Sequence, residues 1–151
     1  MKHILHSHCG GDKILSAILQ KEIVTAIAAI AIKPAVGAAA KMRDAFLLNL
    51  KGSGWSSEVS VSRDSDMTIT SLKNGVGLCL QTGNMARIYA DLIKLQAMYL
   101  DNSIGSAAII LPSHLLAKQL GSNIAQAKRL QRELEIFKKA YHVPTLVFAL
   151  E

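Results

Sequence analysis

Two short stretches of the sequence carry side chains that could do chemistry. In the first, His6 and His8 lie two residues apart, with His3 before them and Cys9 after them. Residues two apart on a strand point to the same side, and imidazole and thiolate groups are ligands for zinc. A zinc site needs further ligands at characteristic distances along the chain, and this spacing matches no strong zinc motif. We therefore predict no bound metal in this stretch.

The second stretch runs from Gly77 to Gln81 and follows an Asn74-Gly75 turn signal. On a strand, Cys79 and Gln81 would point to the same face. A thiol is a soft ligand, so it suits Mg²⁺ poorly, because Mg²⁺ prefers oxygen ligands. The simplest interpretation of Cys79 is a small residue buried in the core.

The elements that must position these side chains alternate between strands and helices. Period-2 patterns and short apolar runs predict strands at 3–8, 58–62, 67–70, 77–81, 107–111 and 145–150. The second, third and fourth of these strands are expected to form an antiparallel meander. Helical spacing predicts helices at about 14–30, 36–50, 84–99, 113–120 and 124–141, with caps at Asp12, Asn84 and either Ser122 or Asn123. We expect one α/β domain over residues 1–151, with a mixed sheet flanked by helices.

Composition limits the classes of partner. The 151 residues include 17 Lys+Arg against 11 Asp+Glu, which gives a net charge of +6 and fits a polyanionic partner. Aromatic residues make up only 5%, which argues against a stacking platform for single strands. Two cysteines far apart favour a cytoplasmic chain, and the apolar run Ile23 to Ile32 is too short to span a bilayer.

Four stretches are distinctive when they are taken together: His6-Ser7-His8 with the helix that follows, Leu50 to Trp55, Leu78 to Asn84, and the pair of late strands at 108–112 and 143–147. They resemble the BglII/BstYI type of restriction endonuclease, whose fold is of the PD-(D/E)XK kind. The order of elements, with a helix before a meander and an αβ unit after it, is similar to the core of that fold. The resemblance implies a Mg²⁺-dependent endonuclease ancestry, with two carboxylates and a Gln-type side chain around the metal.

The resemblance places Gln81 where the family has its glutamine. The two carboxylate positions fall on Thr70 and Cys79, and neither residue is an acid. Glu22 matches the position of an accessory glutamate, and a shift in strand register could bring Asp66 near the site around Gln81. We therefore expect a nuclease fold without cleavage activity and without a cofactor. The alternative is an active enzyme that uses Mg²⁺ with Glu22, Asp66 and Gln81.

The resemblance also implies contacts with double-stranded DNA. The matching positions are Thr82 and Asn84 after the metal strand, and Ser122 and Asn123 before the last helix, with Lys128 able to meet a phosphate. Asn84, Ser122 and Asn123 have an ordinary alternative as helix caps. The resembled enzymes form homodimers through helices that here include residues 84–100. A module that binds only protein, with no DNA contact, remains a third hypothesis.

Overall fold

The computed structural model describes all residues from Met1 to Glu151. Its main element is a five-stranded mixed sheet in the order β1-β7-β6-β5-β4. The strands are β1 (His3–His8), β4 (Ser71–Lys73), β5 (Val76–Leu80), β6 (Ser106–Pro112) and β7 (Thr145–Leu150). Strands β5, β6 and β7 are parallel, and the two edge strands pair antiparallel to their neighbours. A second sheet pairs β2 (Val59–Ser60) with β3 (Thr68–Ile69).

Helices cover both faces of the main sheet. They are α1 (Gly11–Ile14), α2 (Ala17–Ala28), α3 (Ala39–Gly52), α4 (Arg87–Leu100), α5 (His114–Leu120) and α6 (Ala127–Phe137). One core joins the sheet to α2, α3 and α5, and the other joins it to α4 and α6. Every residue of β6 and β7 is buried, as expected for central strands covered on both faces. The prediction of an α/β fold with a mixed sheet and flanking helices is confirmed.

The predicted first helix is divided in two. Leu15 is extended at φ −69° and ψ 118°, and the hydroxyl of Ser16 accepts a hydrogen bond from the Leu19 amide to begin α2. Gly10, in the left-handed conformation, precedes α1, so the predicted cap at Asp12 is wrong. A Cβ on Gly11 would lie 2.2 Å from the carbonyl carbon of Thr145, which explains a glycine where α1 crosses β7.

The predicted meander is split between the two sheets. The chain bends at Thr70, so that β3 joins β2 while β4 pairs with β5. The turn at Asn74-Gly75 is confirmed, with φ of 47° and 74° at the two positions. The bend brings Thr70 beside the end of β5.

The caps predicted for two later helices are displaced. Asn84 accepts a hydrogen bond from the Ala86 amide through its Oδ1 atom, but α4 begins only at Arg87. Helix α6 begins at Ala127 after Gln126, so neither Ser122 nor Asn123 is its cap. The segment from Gly121 to Gln126 instead runs as a loop across the start of α4. None of the helices is long and apolar enough to cross a membrane.

Candidate functional site

A polar cleft of about 560 Å³ opens at the carboxyl end of β5. It lies between the start of α3, the bend after β3 and the first two turns of α4. Its charged and polar side chains are Arg43, Glu58, Thr68, Thr70, Gln81, Thr82, Arg87, Asp91 and Lys94. A cleft at the carboxyl end of parallel strands, with few apolar side chains, is a usual place for a polar ligand.

Gln81 lies at the centre of this cleft, directly after β5. Its backbone amide donates to the carbonyl of Ile110 at 2.8 Å, which extends the sheet by one residue. Its side-chain amide nitrogen donates to the Asp91 carboxylate at 3.0 Å, and its Oε1 atom accepts from the Gly83 amide at 3.1 Å. The side chain is only 8% exposed, so both of its polar atoms are held by the protein.

Asp91 is the acid that the sequence reasoning missed. It lies on α4, is 9% exposed, and its Oδ1 atom is 3.4 Å from the Lys94 ammonium. Burial raises the pKa of this carboxyl, and the hydrogen bond from Gln81 opposes that rise. A signal was present, because Asp91 is three residues after Ile88 and four before Leu95, within the apolar stripe of α4. An acid in such a stripe is unusual unless it has a buried partner.

The two positions expected to hold carboxylates carry neutral side chains with their own contacts. Cys79 does share a face of β5 with Gln81, but it is 1% exposed and packs among apolar side chains of α4 and α6. Burial raises the pKa of its thiol strongly, and the charge of Asp91 raises it further. The Thr70 hydroxyl lines the cleft and accepts from the Leu80 amide at 3.0 Å. Neither side chain offers a charged oxygen.

The structure does not bring the predicted acids to Gln81. Glu22 lies on α2, where its carboxylate binds the Lys73 ammonium and the Trp55 indole N–H. Asp66 is exposed in the loop before β3 and does not line the cleft. The trio of Glu22, Asp66 and Gln81 is therefore not assembled in this structure.

The loops predicted to contact DNA are brought together. The Met85 amide donates to the Asn123 carbonyl at 2.9 Å, and the Ala125 amide donates to the Gly83 carbonyl at 2.8 Å. This bridge places the exposed residues Asn84, Ser122 and Asn123 on one continuous rim. Thr82 lies inside the cleft, while Lys128 is exposed on α6 and lines neither the cleft nor the pocket under this rim.

Three cations of the cleft were also absent from the sequence reasoning. Arg43 reaches across from α3, donates to the Leu80 carbonyl at 3.1 Å and pairs with Glu58 at 3.3 Å. Arg87 is exposed at the start of α4 and forms no ion pair. The third cation, Lys94, lines the cleft from α4 and pairs with Asp91. No local pattern marks these three as neighbours, because they come from two helices on opposite faces of the sheet.

The donor set of the cleft does not fit Mg²⁺, which takes several oxygen ligands at near-octahedral positions. Asp91 is engaged by Gln81 and Lys94, and Glu58 is engaged by Arg43. No group of three or more His, Cys, Asp or Glu side chains is placed to hold a metal ion.

Among the residues near the N-terminus, His8 has its own partners, whereas the buried Nε2 atom of His6 has no hydrogen-bond partner. The His8 ring is buried, lies against Tyr141 and contacts the Tyr141 carbonyl through Nε2 at 3.0 Å. Cys9 is exposed, with its sulfur 3.3 Å from the same nitrogen. Burial lowers the pKa of His6. These side chains form part of the packing between β1 and the segment before β7.

Comparison with known proteins supports a single family. The model of the family described as restriction endonuclease BglII/BglIII matches residues 3–150. A crystal structure of restriction endonuclease BglII complexed with a DNA 16-mer is similar, with a TM-score of 0.86 and 16% identity over 99% of this chain and 76% of that chain. Free BglII gives a TM-score of 0.78 and 17% identity over 100% of this chain and 80% of that chain. No curated protein matches the sequence.

Proposed function

This chain belongs to the BglII/BglIII family of restriction endonucleases, and from that premise we propose that it binds double-stranded DNA as a homodimer without cleaving it. One observation carries the loss of cleavage: Thr70 and Cys79 stand at the positions where the family resemblance implies carboxylates. The only acid bound to Gln81 is Asp91, and it is paired with Lys94. A metal-assisted hydrolysis needs ligands that fix the ion and its water, and these residues do not supply them.

DNA binding is supported by the charge of the cleft and by its rim. Arg43, Arg87 and Lys94 all face the cleft, and the protein as a whole carries a net charge of +6. The bridged loops of Asn84 and Asn123 provide amide side chains of the kind that can hydrogen-bond base edges. A BglII structure holds a DNA 16-mer, and its fold matches 99% of this chain, which covers 76% of that chain.

Homodimer formation is supported by an apolar groove between α4 and α6. The groove has a volume of about 540 Å³, and its exposed or half-exposed apolar side chains include Tyr89, Ile93, Leu100 and Phe137. Its place on α4 matches the helix that the family resemblance assigns to dimer contact. In a twofold dimer the same groove would serve both copies, burying apolar surface that monomers rarely leave exposed.

A plasmid-cleavage assay with Mg²⁺ or Mn²⁺ tests the first part of the proposal. We expect no nicking or linearisation above the level of a metal-free control. Metal-dependent cleavage that is lost in Asp91→Asn but kept in Glu22→Gln would contradict the proposal and assign a relocated active site around Asp91.

Gel shifts over a range of salt concentrations test DNA binding. We expect affinity to fall steeply as salt rises, because counterions are released when phosphates are neutralised. An absence of binding at low salt, or binding that ignores salt, would instead favour a module that binds protein alone.

Sedimentation velocity tests the homodimer. Ile93→Glu places a charge in the groove at a side chain that is 71% exposed, and Leu115→Glu is the matched control on α5, at 73% exposure and outside the groove. We expect the first variant to be monomeric and the second to remain dimeric. Equal sedimentation of the two variants and the wild type would show that the groove is not part of a dimer interface.

A further inference from the structure

The cleft at Gln81 holds more cations than acids. Arg43, Arg87 and Lys94 face Glu58 and Asp91, which leaves an excess of one positive charge in a space of about 560 Å³. A site built to hold Mg²⁺ would show the opposite balance, because its acids must exceed its cations before the ion enters. The cleft therefore has the charge of a site that receives an anion.

The two acids in the cleft are already neutralised by neighbours. Glu58 pairs with the Arg43 guanidinium at 3.3 Å, and the Thr68 hydroxyl lies 3.5 Å from its other oxygen. Asp91 accepts from Gln81 at 3.0 Å and lies 3.4 Å from the Lys94 ammonium. Arg87 has no acidic partner, so its guanidinium is the free cation at the mouth of the cleft.

Gly83 lies next to this free cation. A Cβ at Gly83 would lie 4.0 Å from an Arg87 guanidinium nitrogen, which is an ordinary van der Waals distance, and 3.2 Å from Gln81 Oε1. With glycine at this position, no side chain from residue 83 stands beside the Arg87 guanidinium.

We propose that the cleft binds a backbone phosphate of DNA without a divalent cation, through the unpaired Arg87, with the paired Arg43 and Lys94 adding positive charge around it. Guanidinium groups bind phosphate oxygens through two parallel hydrogen bonds, and an ammonium adds a point charge. The cations thus supply the neutralisation that a metal ion supplies in a cleaving enzyme. The inference rests on the proposed DNA binding and adds its mechanism at this site.

The first experiment measures affinity for duplex DNA in EDTA and in Mg²⁺ or Ca²⁺. We expect dissociation constants that agree within about twofold, because a single divalent ion contributes no ligand bridge and only general screening. Binding that is lost in EDTA and restored by Ca²⁺ would overturn metal-free phosphate binding in the cleft while leaving DNA binding intact. No DNA binding under any condition would overturn both.

Matched charge removals locate the contact. Arg87→Gln should weaken binding by about tenfold and reduce the slope of log affinity against log salt by about one, and Lys94→Gln should weaken binding less, because Lys94 is paired with Asp91. Lys21→Gln, at an exposed lysine on α2 and outside the cleft, should change affinity less than about twofold. Equal effects of all three variants would overturn the assignment to the cleft.

A charge addition tests the converse. Thr70 lines the cleft, and Thr70→Asp would add an acid there, with Thr70→Asn as the neutral variant of similar shape. In EDTA we expect Thr70→Asp to weaken DNA binding by about tenfold relative to Thr70→Asn, with Ca²⁺ recovering part of the loss. Circular dichroism confirms that both variants are folded, and equal affinity of the two folded variants in EDTA would contradict a phosphate at this point.

Discussion

Glu22 and Asp91 are both acids paired with a lysine, and they lie on helices that cover opposite faces of the sheet. Both oxygens of Glu22 contact the Lys73 ammonium, at 2.7 Å and 2.8 Å, and one of them also accepts from the Trp55 indole at 2.8 Å. Asp91 has a longer contact with Lys94, at 3.4 Å, and one hydrogen bond from Gln81.

The pKa values of the two carboxyls move in opposite directions. The hydrogen bond from Lys73 lowers the pKa of Glu22, while burial raises the pKa of Asp91. A well-partnered acid is part of the scaffold, whereas a buried acid with incomplete partners marks a site where chemistry or binding is arranged. The acid with the shorter contacts to its lysine, Glu22, thus lies outside the cleft, and the acid with the longer contact, Asp91, lines it.

Opposite directions of pKa shift give opposite dependences of stability on pH. For Glu22 the folded pKa is lowered, so its contribution to stability is present above the unfolded pKa and is lost as pH falls through the folded pKa. For Asp91 the folded pKa is raised, so its contribution is fully present below the unfolded pKa and is lost as pH rises through the folded pKa.

Removal of Glu22 should have the largest effect. Glu22→Ala leaves the Trp55 indole without its acceptor and the Lys73 ammonium with only the Ser53 carbonyl, which should cost about 2 kcal/mol of unfolding free energy. Urea unfolding followed by circular dichroism measures this. Glu22→Gln retains an acceptor for Trp55 and should lose about half as much. A loss below about 0.5 kcal/mol for Glu22→Ala would show that the pair is not structural.

Removal of the Trp55 donor alone should cost less. Trp55 is 3% exposed, and Trp55→Phe deletes its N–H while keeping an aromatic ring in the core. We expect a loss of about 1 kcal/mol, partly from the hydrogen bond and partly from packing. The loss should be smaller in a Glu22→Ala background, and a double-mutant cycle with no coupling would contradict the contact.

Neutralisation of Asp91 should change stability by a smaller amount and with the opposite sign. At neutral pH we expect Asp91→Asn to be about 0.5 kcal/mol more stable than the wild type, because a desolvated charge is removed while the contact with Gln81 can persist.

The pH series separates this effect from that of Glu22. The advantage of Asp91→Asn should shrink as pH falls through the raised folded pKa of the wild-type carboxyl, because that carboxyl then gains its proton. The stability deficit of Glu22→Gln should also shrink at low pH, because the wild-type Glu22 carboxylate loses its stabilising contribution as it gains a proton. A deficit for Asp91→Asn at neutral pH would mean that its ion pair with Lys94 outweighs its desolvation.

Thiol labelling of the wild-type protein tests whether Cys79, which lies close enough to Asp91 to be influenced by its charge, is buried. Cys9 is exposed and should react with a disulfide reagent in the native protein, whereas Cys79 is buried, its pKa is raised, and it should react only after unfolding. A Cys9→Ser variant makes the result unambiguous. Rapid native labelling of Cys79 would contradict its place in the core.

The fold followed from the sequence where the signal was local. The continuous apolar runs predicted β6 and β7, and the Asn74-Gly75 pair predicted the turn before β5, although β4 on the other side of that turn was not predicted as a strand. The break between α1 and α2 was missed because the helical spacing around Ile14 and Ile18 continues through Leu15, which is buried in the core with α2 and α3. The family resemblance itself was confirmed, since the family match covers residues 3–150.

The candidate site was only partly predictable. Gln81 and Thr82 lie in the cleft, whereas Glu22 and Asp66 do not line it. Arg43 meets the Leu80 carbonyl from 37 positions away along the chain, and Asp91 meets Gln81 only because α4 packs against the face of β5 that carries both Cys79 and Gln81. The roles predicted for these residues in catalysis and DNA contact stay predictions.

Apart from β4 and the break between α1 and α2, the sequence predicted the strands and helices, the family resemblance and the absence of acids at Thr70 and Cys79. These are properties of residue identity and of short-range periodicity. The tertiary structure decided that Glu22 is bound by Lys73 and that Asp91 stands in the cleft with three cations. The physical reason is that a local pattern fixes the face on which a side chain lies, while its partner, burial and pKa depend on elements that folding brings from elsewhere.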